Sequence, residues 1–367
     1  LAQVVEIGLS ASDFQRLASR LSLLVDAFEI EQNGLGFNNL IFMAVVLSEL
    51  AKNPEASYRS LIVEEPEAHL HPQLQAVLLR YLETVQATDG EKPVQLFVTS
   101  HSPNFASIAD LDSLTCLVDT GAAVETFFPR TITFEKGKRE KLERYLDVTR
   151  AELFFSRRVI FVEGAAELML VSMLAEKAGF KLREHAVSLI SVEGLNFDSF
   201  LPLFGKNALK IPVAVITDAD PVDEPADGSE PQALYPTPGD AIKVSDNTAK
   251  MKGSEDDFVK VFHGLKTFEY DLALHADNRT AMLQALKELH PKIAVTVQAE
   301  VDAALGDAAK ARALFTGMFE RKQNSVQKGR FGQALAQVFS EPGAACVMPE
   351  YIRAAIVHAC QLAPAKP

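Results

Sequence analysis

Four carboxylates in the middle of the chain follow two apolar stretches that are typical of buried strands. Glu163 comes directly after the first stretch, with Glu167 four residues beyond it, and Asp218 and Asp220 follow the second. Four negative charges packed together are costly without cations, and hard oxygen ligands suit Mg²⁺ or Mn²⁺. Two such ions can activate a water and stabilise the leaving oxygen in phosphodiester cleavage. The spacing therefore predicts a site for two divalent ions.

These acids can converge only if the strands that precede them lie side by side in one sheet. Predicted strands and helices alternate along this part of the chain, at 159–162, 165–178, 187–192, 197–204 and 212–217. Such alternation predicts a parallel sheet with right-handed crossovers, in which ligands bind at the carboxyl ends of the strands. Gly164 permits the turn that brings Glu163 and Glu167 together at a helix start. The alternative is a set of exposed acids that cap helices, which is a less specific pattern.

The pattern resembles the Toprim domain that topoisomerases, primases and certain nucleases share. Glu163 matches the glutamate of its first motif, and Asp218 and Asp220 match its Asp-x-Asp motif. Glu167 goes beyond the topoisomerase pattern and is similar to the nuclease branch. Glu193, in the turn after the intermediate strand, is interpreted as peripheral to the site.

A second group of acids ends an earlier apolar stretch, in the sequence SLIVEEPEAHLHPQ. Glu64 and Glu65 resemble the end of the Walker B strand of ABC-type ATPases, although that family usually has Asp at the first position. His101, after another apolar stretch, resembles the H-loop histidine, and Gly34 and Gly36 resemble a degenerate signature motif. The three motifs occur in the family's order. The alternative, a solvated turn before a helix, explains only one of them.

The loop that holds phosphates in such ATPases has no counterpart in the sequence. No G-x-x-x-x-G-K-[ST] occurs, so a cradle of backbone N–H groups and its lysine are missing. The glycine motif comes too close to Leu1 to leave room for this loop. We therefore expect the carboxyl-terminal half of an ATPase that cannot hydrolyse ATP by itself, with ATP bound only in a longer, full-length protein.

An ATPase half joined directly to a Toprim domain resembles the OLD (overcoming lysogenization defect) family of ATP-dependent nucleases, over nearly the whole chain. Two later segments, KTFEYDL and KGRF, match further motifs of that family. The resemblance implies that Glu269 is a metal ligand and that Lys328 neutralises the scissile phosphate. Lys322 and Arg330 are the alternatives for this cation. Judged by residue type alone, Glu269 and Lys328 can also be ordinary surface charges.

Length, composition and charge limit the classes of protein to which the chain can belong. The 367 residues are 48% hydrophobic and carry a net charge of −13, which excludes a bulk basic surface for nucleic acid. Three separated cysteines make no disulfide framework and indicate a reduced, cytoplasmic protein. No apolar stretch has the length of a membrane span, so no membrane partner is expected.

The predicted fold class is α/β: a Toprim-like parallel sheet flanked by helices with a helical segment, preceded by the carboxyl-terminal half of an ABC-type ATPase domain. The predicted domains are 1–150 for the ATPase half, 151–250 for the Toprim core, and 251–367 for a mostly helical insertion and the carboxyl-terminal Toprim elements.

These features together predict a DNA endonuclease that uses two Mg²⁺ or Mn²⁺ ions and is regulated by ATP in the full-length protein. The resemblance further implies a homodimer formed through the ATPase part, a helicase partner in some members, and a setting in phage defence or DNA repair. Two alternatives stay open. A topoisomerase or primase on the same domain requires a nucleophilic tyrosine or nucleotide-binding elements. A non-catalytic clamp requires that the acids do no chemistry.

Overall fold

The computed structural model describes residues 24–25, 28–29, 33–52, 58–84, 94–119, 121, 123–223 and 232–361. The chain divides into two compact units, Leu1–Ile108 and Ala109–Pro367. The border between the units lies inside the segment 1–150, and the division into three domains stays a prediction. Each unit is described by itself.

The first unit is built around two parallel strands. Its elements in chain order are β1 (Leu24–Val25), β2 (Phe28–Glu29), α1 (Leu35–Lys52), β3 (Ser60–Glu64), α2 (Pro72–Thr84), β4 (Gln95–Thr99) and α3 (Pro103–Ile108). β1 pairs with β2 in antiparallel fashion, and β3 pairs with β4 in parallel, with Glu64 opposite Thr99. α2 begins at Pro72, which suits a first helical position, and buries Leu78 and Leu82, one turn apart. The parallel pairing brings the segments after β3 and β4 to one edge.

The second unit contains a β-hairpin, a parallel sheet and a series of helices. Its elements in chain order are β5 (Cys116–Asp119), β6 (Val124–Phe127), α4 (Lys138–Tyr145), α5 (Val148–Ala151), β7 (Arg158–Val162), α6 (Ala165–Lys177), β8 (Val187–Ser191), α7 (Phe197–Phe200), β9 (Val213–Thr217), β10 (Val222–Asp223), β11 (Gln232–Ala233), α8 (Asp246–Lys252), β12 (Val259–His263), α9 (Phe268–Ala273), α10 (Ala276–Leu289), α11 (Pro291–Ala303), α12 (Asp307–Phe319), α13 (Lys328–Ser340) and α14 (Glu350–Cys360). Single 3₁₀ turns lie at Pro129–Thr131, Glu152–Phe154 and Leu201–Leu203. β5 pairs with β6, and β10 with β11, both in antiparallel fashion.

Within the described residues, the main sheet of this unit has four parallel strands in the order β12-β9-β7-β8. The two central strands, β7 and β9, pair with each other at Phe161 and Val215. Both are almost entirely apolar and buried, as expected of strands that are covered on both faces. Because parallel strands end at the same edge, the residues that follow β7 and β9 meet there. The predicted α/β class with a parallel sheet is confirmed.

One strand of this sheet lies in the part of the chain that is predicted to be mostly helical. β12 pairs with β9 over its whole length. Val259 and Val261 are buried whereas Lys260 is not, which is the alternation expected of an edge strand. The run is five residues long, too short to stand out among the surrounding helices. The regular elements described after Glu255 are therefore helices, except for this strand.

The helices of the second unit pack on the sheet and on one another. α14 contacts β12, β9 and β7, and α13 contacts α6 and α10. Their buried apolar faces join those of the strands in one core. A Cβ atom added at Gly332 of α13 would lie 2.8 Å from the Cβ of Ala166 in α6, so only glycine allows this close approach. In the described part of the chain, no helix is both long and apolar enough to cross a membrane.

Candidate active site

Two carboxylates are locked together at the carboxyl edge of the sheet. Glu163 follows β7 and Asp218 follows β9. Glu163 Oε1 accepts hydrogen bonds from Thr217 Oγ1 at 2.7 Å and from the backbone N–H of Asp218 at 2.9 Å. The parallel register thus places the end of one central strand within hydrogen-bond reach of the other. Glu163 is held in a single direction by its neighbour strand.

The backbone around Glu163 is fixed from the other side by the turn after β8. Gly194 donates its N–H to the carbonyl oxygen of Glu163 at 2.7 Å. Glu193 before it has a positive φ of 53°, and its carboxylate pairs with Arg150 at 2.5 Å. Arg150 also donates Nε–H to the carbonyl of Ser191 at 2.9 Å. Glu193 is therefore engaged with Arg150, and Arg150 supports the turn that holds Glu163.

Asp218 is anchored by two helices of the second unit. Its Oδ1 accepts the backbone N–H of Phe268, at the start of α9, at 2.9 Å. Its carbonyl oxygen accepts Thr248 Oγ1 of α8 at 2.8 Å. Burial, and next the adjacent Glu163 carboxylate, raise the pKa of Asp218 well above its usual range. Asp218 therefore sits where a carboxylate is costly unless a cation is close.

Asp220 is held through its backbone rather than its side chain. Its N–H and that of Ala219 both donate to the carbonyl oxygen of Lys266, at 3.1 and 2.8 Å. Its φ is +40°, a left-handed conformation that is unfavourable for most residues. Its side chain is exposed. The loop therefore turns Asp220 toward solvent at the edge of the site.

Glu167 lies in the first turn of α6 and is buried. Its Oε2 comes within 3.1 Å of the position that a Cβ at Gly164 would occupy, so the side chain folds back over the turn. Burial, and then the nearby Glu269 carboxylate, raise the pKa of Glu167 to about 7, although Lys328 opposes this. The sequence prediction that Glu163 and Glu167 share a helix start agrees with this position.

Glu269 and Lys328, on different helices, form an ion pair over the acids. The Glu269 side chain is 1% exposed, and Lys328 Nζ lies 2.8 Å from its Oε2 and 3.9 Å from Asp218 Oδ2. Within the described residues, Glu269 Oε1 has no hydrogen-bond partner, and the polar contact of Oε2 is the Lys328 ammonium. Burial would lower the pKa of Lys328, but the Glu269 and Asp218 carboxylates outweigh burial and raise it. The ammonium therefore supplies the positive charge that these buried acids need.

The packing of α13 on α6 sets the position of Lys328. Lys328 is the first residue of α13 and lies one helical turn before Gly332, which contacts Ala166. Ala166 is itself next to Glu167 in α6. The contact between two small residues thus brings the ammonium to the helix start that carries Glu167.

Sequence reasoning missed three residues at this site. Thr217 orients Glu163, but as the last residue of a buried strand it carries no signal of its own. Lys266 is buried, with Nζ 4.5 Å from the ring centre of Tyr235 and 5.5 Å from that of Phe315. It belongs to the KTFEYDL motif, which was a usable signal. Tyr351 of α14 packs near Gly264, and burial, then Asp271, raise the pKa of its phenol.

The donor set fits a hard divalent cation by its chemistry. The acids are all carboxylates, they carry more negative charge than Lys328 offsets, and Glu269 Oε1 has no hydrogen-bond partner among the described residues. No group of three or more His, Cys, Asp or Glu side chains in the described ranges is arranged around one point as a metal site. An ion shared with Glu269 would therefore require the Glu269 side chain to turn from Lys328.

The predicted nucleotide site of the first unit is brought together in part. Glu65, with φ +44°, donates its N–H to the carbonyl oxygen of Thr99 at 3.0 Å, and His101 Nε2 lies 3.6 Å from Glu65 Oε1. Glu67 Oε1 accepts Ser100 Oγ at 2.5 Å and the N–H of His101 at 3.2 Å. The acidic strand end and the histidine loop therefore meet at one edge.

The signature-like glycines lie at the start of α1 rather than wholly before it. Gly34 precedes the helix, whereas Gly36 is in its first turn. A Cβ at Gly36 would lie 2.5 Å from the carbonyl oxygen of His69, so glycine is needed where α1 meets that turn. Glu64, at the end of β3, is exposed.

Comparison with known proteins defines the two parts of the chain. A family model described as "Overcoming lysogenization defect protein-like, TOPRIM domain" matches residues 154–220, and one described as "AAA ATPase domain" matches residues 25–106. The chain is thus similar to an ATPase domain in its first part and to a TOPRIM domain in its middle part. The likeness to OLD proteins that the motifs indicate is confirmed by these matches.

Two curated relatives and a solved structure are similar to the chain. Endonuclease GajA of Bacillus cereus (strain HuB5-5) is 27% identical over 52% of this chain and 31% of its own length. The OLD nuclease of Thermus scotoductus (strain ATCC 700910 / SA-01) is 26% identical over 54% of this chain and 38% of its own. The carboxyl-terminal region of the Xanthomonas campestris pv. campestris OLD protein is 27% identical, with a TM-score of 0.37, over 57% of this chain and 95% of that one. The chain spans about a third of the length of the curated relatives.

Proposed function

We propose that the second unit is a DNA endonuclease that depends on Mg²⁺ or Mn²⁺. The proposed ligands of two ions are five acids, Glu163, Glu167, Asp218, Asp220 and Glu269. The observation that carries the proposal is the buried Glu269 carboxylate, whose Oε1 has no hydrogen-bond partner among the described residues and whose Oε2 lies 2.8 Å from the Lys328 ammonium. A buried acid with an unpartnered oxygen is costly in a purely structural role. The two named relatives, an endonuclease and a nuclease, support the same activity.

The residues of the site have distinct proposed roles. Bound ions would supply Lewis acidity and an activated water. Glu163 and Asp218 are pre-positioned by main-chain and hydroxyl hydrogen bonds, so that the ions are held without reorganisation of the strand ends. Lys328, with 44% of its side chain exposed, reaches solvent and is proposed to stabilise negative charge on the phosphate as the P–O bond breaks.

Tyr351, which is buried among the acids, does not have the features of a topoisomerase nucleophile. Such an enzyme needs a tyrosine that loses its proton and attacks phosphorus. Burial, and then the neighbouring Asp271 carboxylate, raise the pKa of the Tyr351 phenol, which is the direction opposite to activation.

The test is cleavage of supercoiled plasmid by the chain in Mg²⁺ or in Mn²⁺. The double variant Asp218→Ala, Asp220→Ala is expected to lose nicking by about a hundredfold or more, since both ions lose a ligand. A matched control, Glu288→Ala with Asp302→Ala, removes two exposed acids of α10 and α11 and is expected to nick like the parent. Equal nicking by all three proteins would sink the site assignment. No cleavage by the parent would favour the clamp.

The first unit is proposed to act on the nuclease only in a longer protein. There it would bind ATP with a phosphate loop from elsewhere, dimerise around the nucleotide and gate cleavage. Glu65, His101 and Gly36 are the residues of this chain proposed to take part. The contact of Glu65 with His101 supports the proposal, and the ATPase match over residues 25–106 is consistent with it. A helicase partner is likewise a proposal, which co-purification with the full-length protein would test.

A further inference from the structure

The residues that link α12 to α13, together with the first turn of α13, form a basic segment in an acidic chain. Between 321 and 330 the sequence RKQNSVQKGR has four cations and no acid, and no acid follows until Glu341. The chain as a whole carries a net charge of −13. Positive charge is therefore concentrated in this segment, which we call the basic connection (residues 321–330).

The basic connection is fixed to the helices on which it lies. Val326 is buried and donates its N–H to the carbonyl oxygen of Met318 at 2.9 Å. Arg321 donates to the carbonyl oxygen of Gly317 at 3.3 Å. Asn324 adopts a left-handed φ of 56° at the turn. The segment therefore presents its charges from a defined path rather than from a loose loop.

Two of its cations have no acid to balance them. Lys322 and Arg330 are exposed, and neither forms an ion pair with any residue in the part of the chain that the structure describes. By contrast, Lys328 of the same segment reaches the acids, 2.8 Å from Glu269. Exposed cations without acidic partners, in the segment that also carries Lys328, are the charge pattern that binds a nucleic-acid backbone.

We infer that the basic connection is the surface that holds DNA across the active site, with Lys322 and Arg330 on phosphates that flank the one bound by Lys328. The inference rests on the proposed nuclease function. Lys322 is six residues from Lys328, so their Cα atoms lie within about 22 Å of each other. That span corresponds to roughly six nucleotides of one strand at about 3.4 Å each. The flanking contacts therefore fall within half a helical turn or so of the cleaved bond.

The occupant is a phosphate backbone rather than an acidic protein, because the cations continue directly into the residue that lies over the carboxylates. A protein partner would not need Lys328 at the same surface. The predicted contacts are to phosphates alone, so they contribute affinity without sequence preference. They also make binding depend on salt.

The experiment compares the parent with Lys322→Gln, Arg330→Gln in the full chain. DNA affinity is measured by anisotropy of a short labelled duplex, with Ca²⁺ in place of Mg²⁺, from about 50 to 200 mM salt. The double variant should bind about tenfold to a hundredfold more weakly at about 0.1 M salt, with a salt slope shallower by about two units.

Two further variants separate charge from folding. Lys322→Arg, Arg330→Lys keeps both charges and should keep the parent's affinity and slope. Lys287→Gln, Lys292→Gln removes two exposed cations near the far end of α10, which is about 20 Å long. This control should lose much less affinity than the basic-connection variant.

The outcomes distinguish the inference from the proposed function. Unchanged affinity and slope in Lys322→Gln, Arg330→Gln would overturn the inference even if the parent cleaves DNA, and so would a parent that binds no DNA. Weaker binding by that variant, together with a parent that never cleaves DNA, would support the basic connection as a DNA-binding surface and contradict the proposed nuclease function. A loss as large in the Lys287→Gln, Lys292→Gln control would show a diffuse charge effect and overturn the inference.

Discussion

The carboxylates at the sheet edge differ in how firmly the chain holds them. Glu163 and Asp218 accept hydrogen bonds from backbone N–H groups of neighbouring elements. Glu269 accepts no backbone N–H within the described residues, and its polar contact is the Lys328 ammonium. The site thus combines two fixed acids with one whose environment is completed only by a cation. Removal of the Lys328 charge would therefore affect Glu269 more than Glu163 or Asp218.

Glu167 makes the stability of the metal-free protein depend on pH. Its pKa rises from 4.5 to about 7 on folding because burial disfavours the carboxylate. The folded state therefore binds the proton more tightly, and the unfolding free energy falls as pH rises between these values. The change is on the order of 3 kcal/mol for this one group. Denaturant unfolding in EDTA from pH 5 to pH 8 measures it.

The control for this prediction is Glu167→Gln, which keeps the shape of the side chain without its titration. Its unfolding free energy should fall less over the same range. Part of the dependence should persist, because burial also raises the pKa of Asp271 to about 7. Identical pH dependence in both proteins would contradict the role given to Glu167.

The positions of the acids could be predicted, but their supports could not. A carboxylate directly after an apolar strand is visible in sequence, because the strand period and the charge coincide. Thr217 and the N–H of Phe268 bind the acids through contacts 54 and 50 residues away along the chain. Such pairs depend on strand order and register, which one sequence does not specify.

At the scale of elements, the contact between α13 and α6 controls the site. Gly332→Ala would place a methyl 2.8 Å from the Cβ of Ala166, so the helices must separate. We expect a loss of about 1–3 kcal/mol in stability. We also expect slower nicking, because Lys328 moves with its helix away from Glu269. Thermal unfolding and nicking rates measure the two effects.

The same helix provides the control for that substitution. A methyl group added at Gly329 would have no other atom within 4 Å, so Gly329→Ala adds the same group without a clash. It should leave stability unchanged or slightly higher. Ala166→Gly should not restore Gly332→Ala, because the added methyl would still lie 2.9 Å from the Cα of residue 166. Equal losses from both glycine substitutions would show that the close approach is not the cause.

The elements themselves were predictable where the apolar pattern is long and regular. The strands β7 and β9 and the helix α6 agree with their predicted ranges to within a few residues. β12 was missed because five residues of alternating burial are a weak signal between helices. Its place beside β9 follows from tertiary pairing. The helical carboxyl-terminal part was predicted, but not that it supplies both Lys328 and an edge strand.

At the scale of the whole molecule, the chain has two groups of acids at strand ends, and they differ in the basic side chains that lie near them. The edge in the first unit has His101 near Glu65, and the sequence has no G-x-x-x-x-G-K-[ST] loop to bring a lysine. The edge in the second unit has Lys328 over its acids. Chemistry on phosphates is therefore expected from the second unit of this chain and not from the first.

The chain is accordingly expected to release no phosphate from ATP in multiple turnovers. ATP should also leave its rate of plasmid nicking unchanged. A coupled phosphate-release assay, with Glu65→Gln as the baseline, measures the first. Release above that baseline would contradict the prediction and would mean that the phosphates are held by residues without the usual loop.

The ion pair between Lys328 and Glu269 has a consequence for the order of binding. One ammonium cannot balance a buried acid and a DNA phosphate at once. On the proposed function, divalent ions that take over Glu269 release Lys328 for DNA, and DNA that engages Lys328 opens Glu269 to the ions. The two ligands are then positively cooperative, and by thermodynamic reciprocity each tightens the other by the same factor. A coupling of about 1–3 kcal/mol, which is typical of such linkage, would make each ligand bind about fivefold to 150-fold more weakly in the absence of the other.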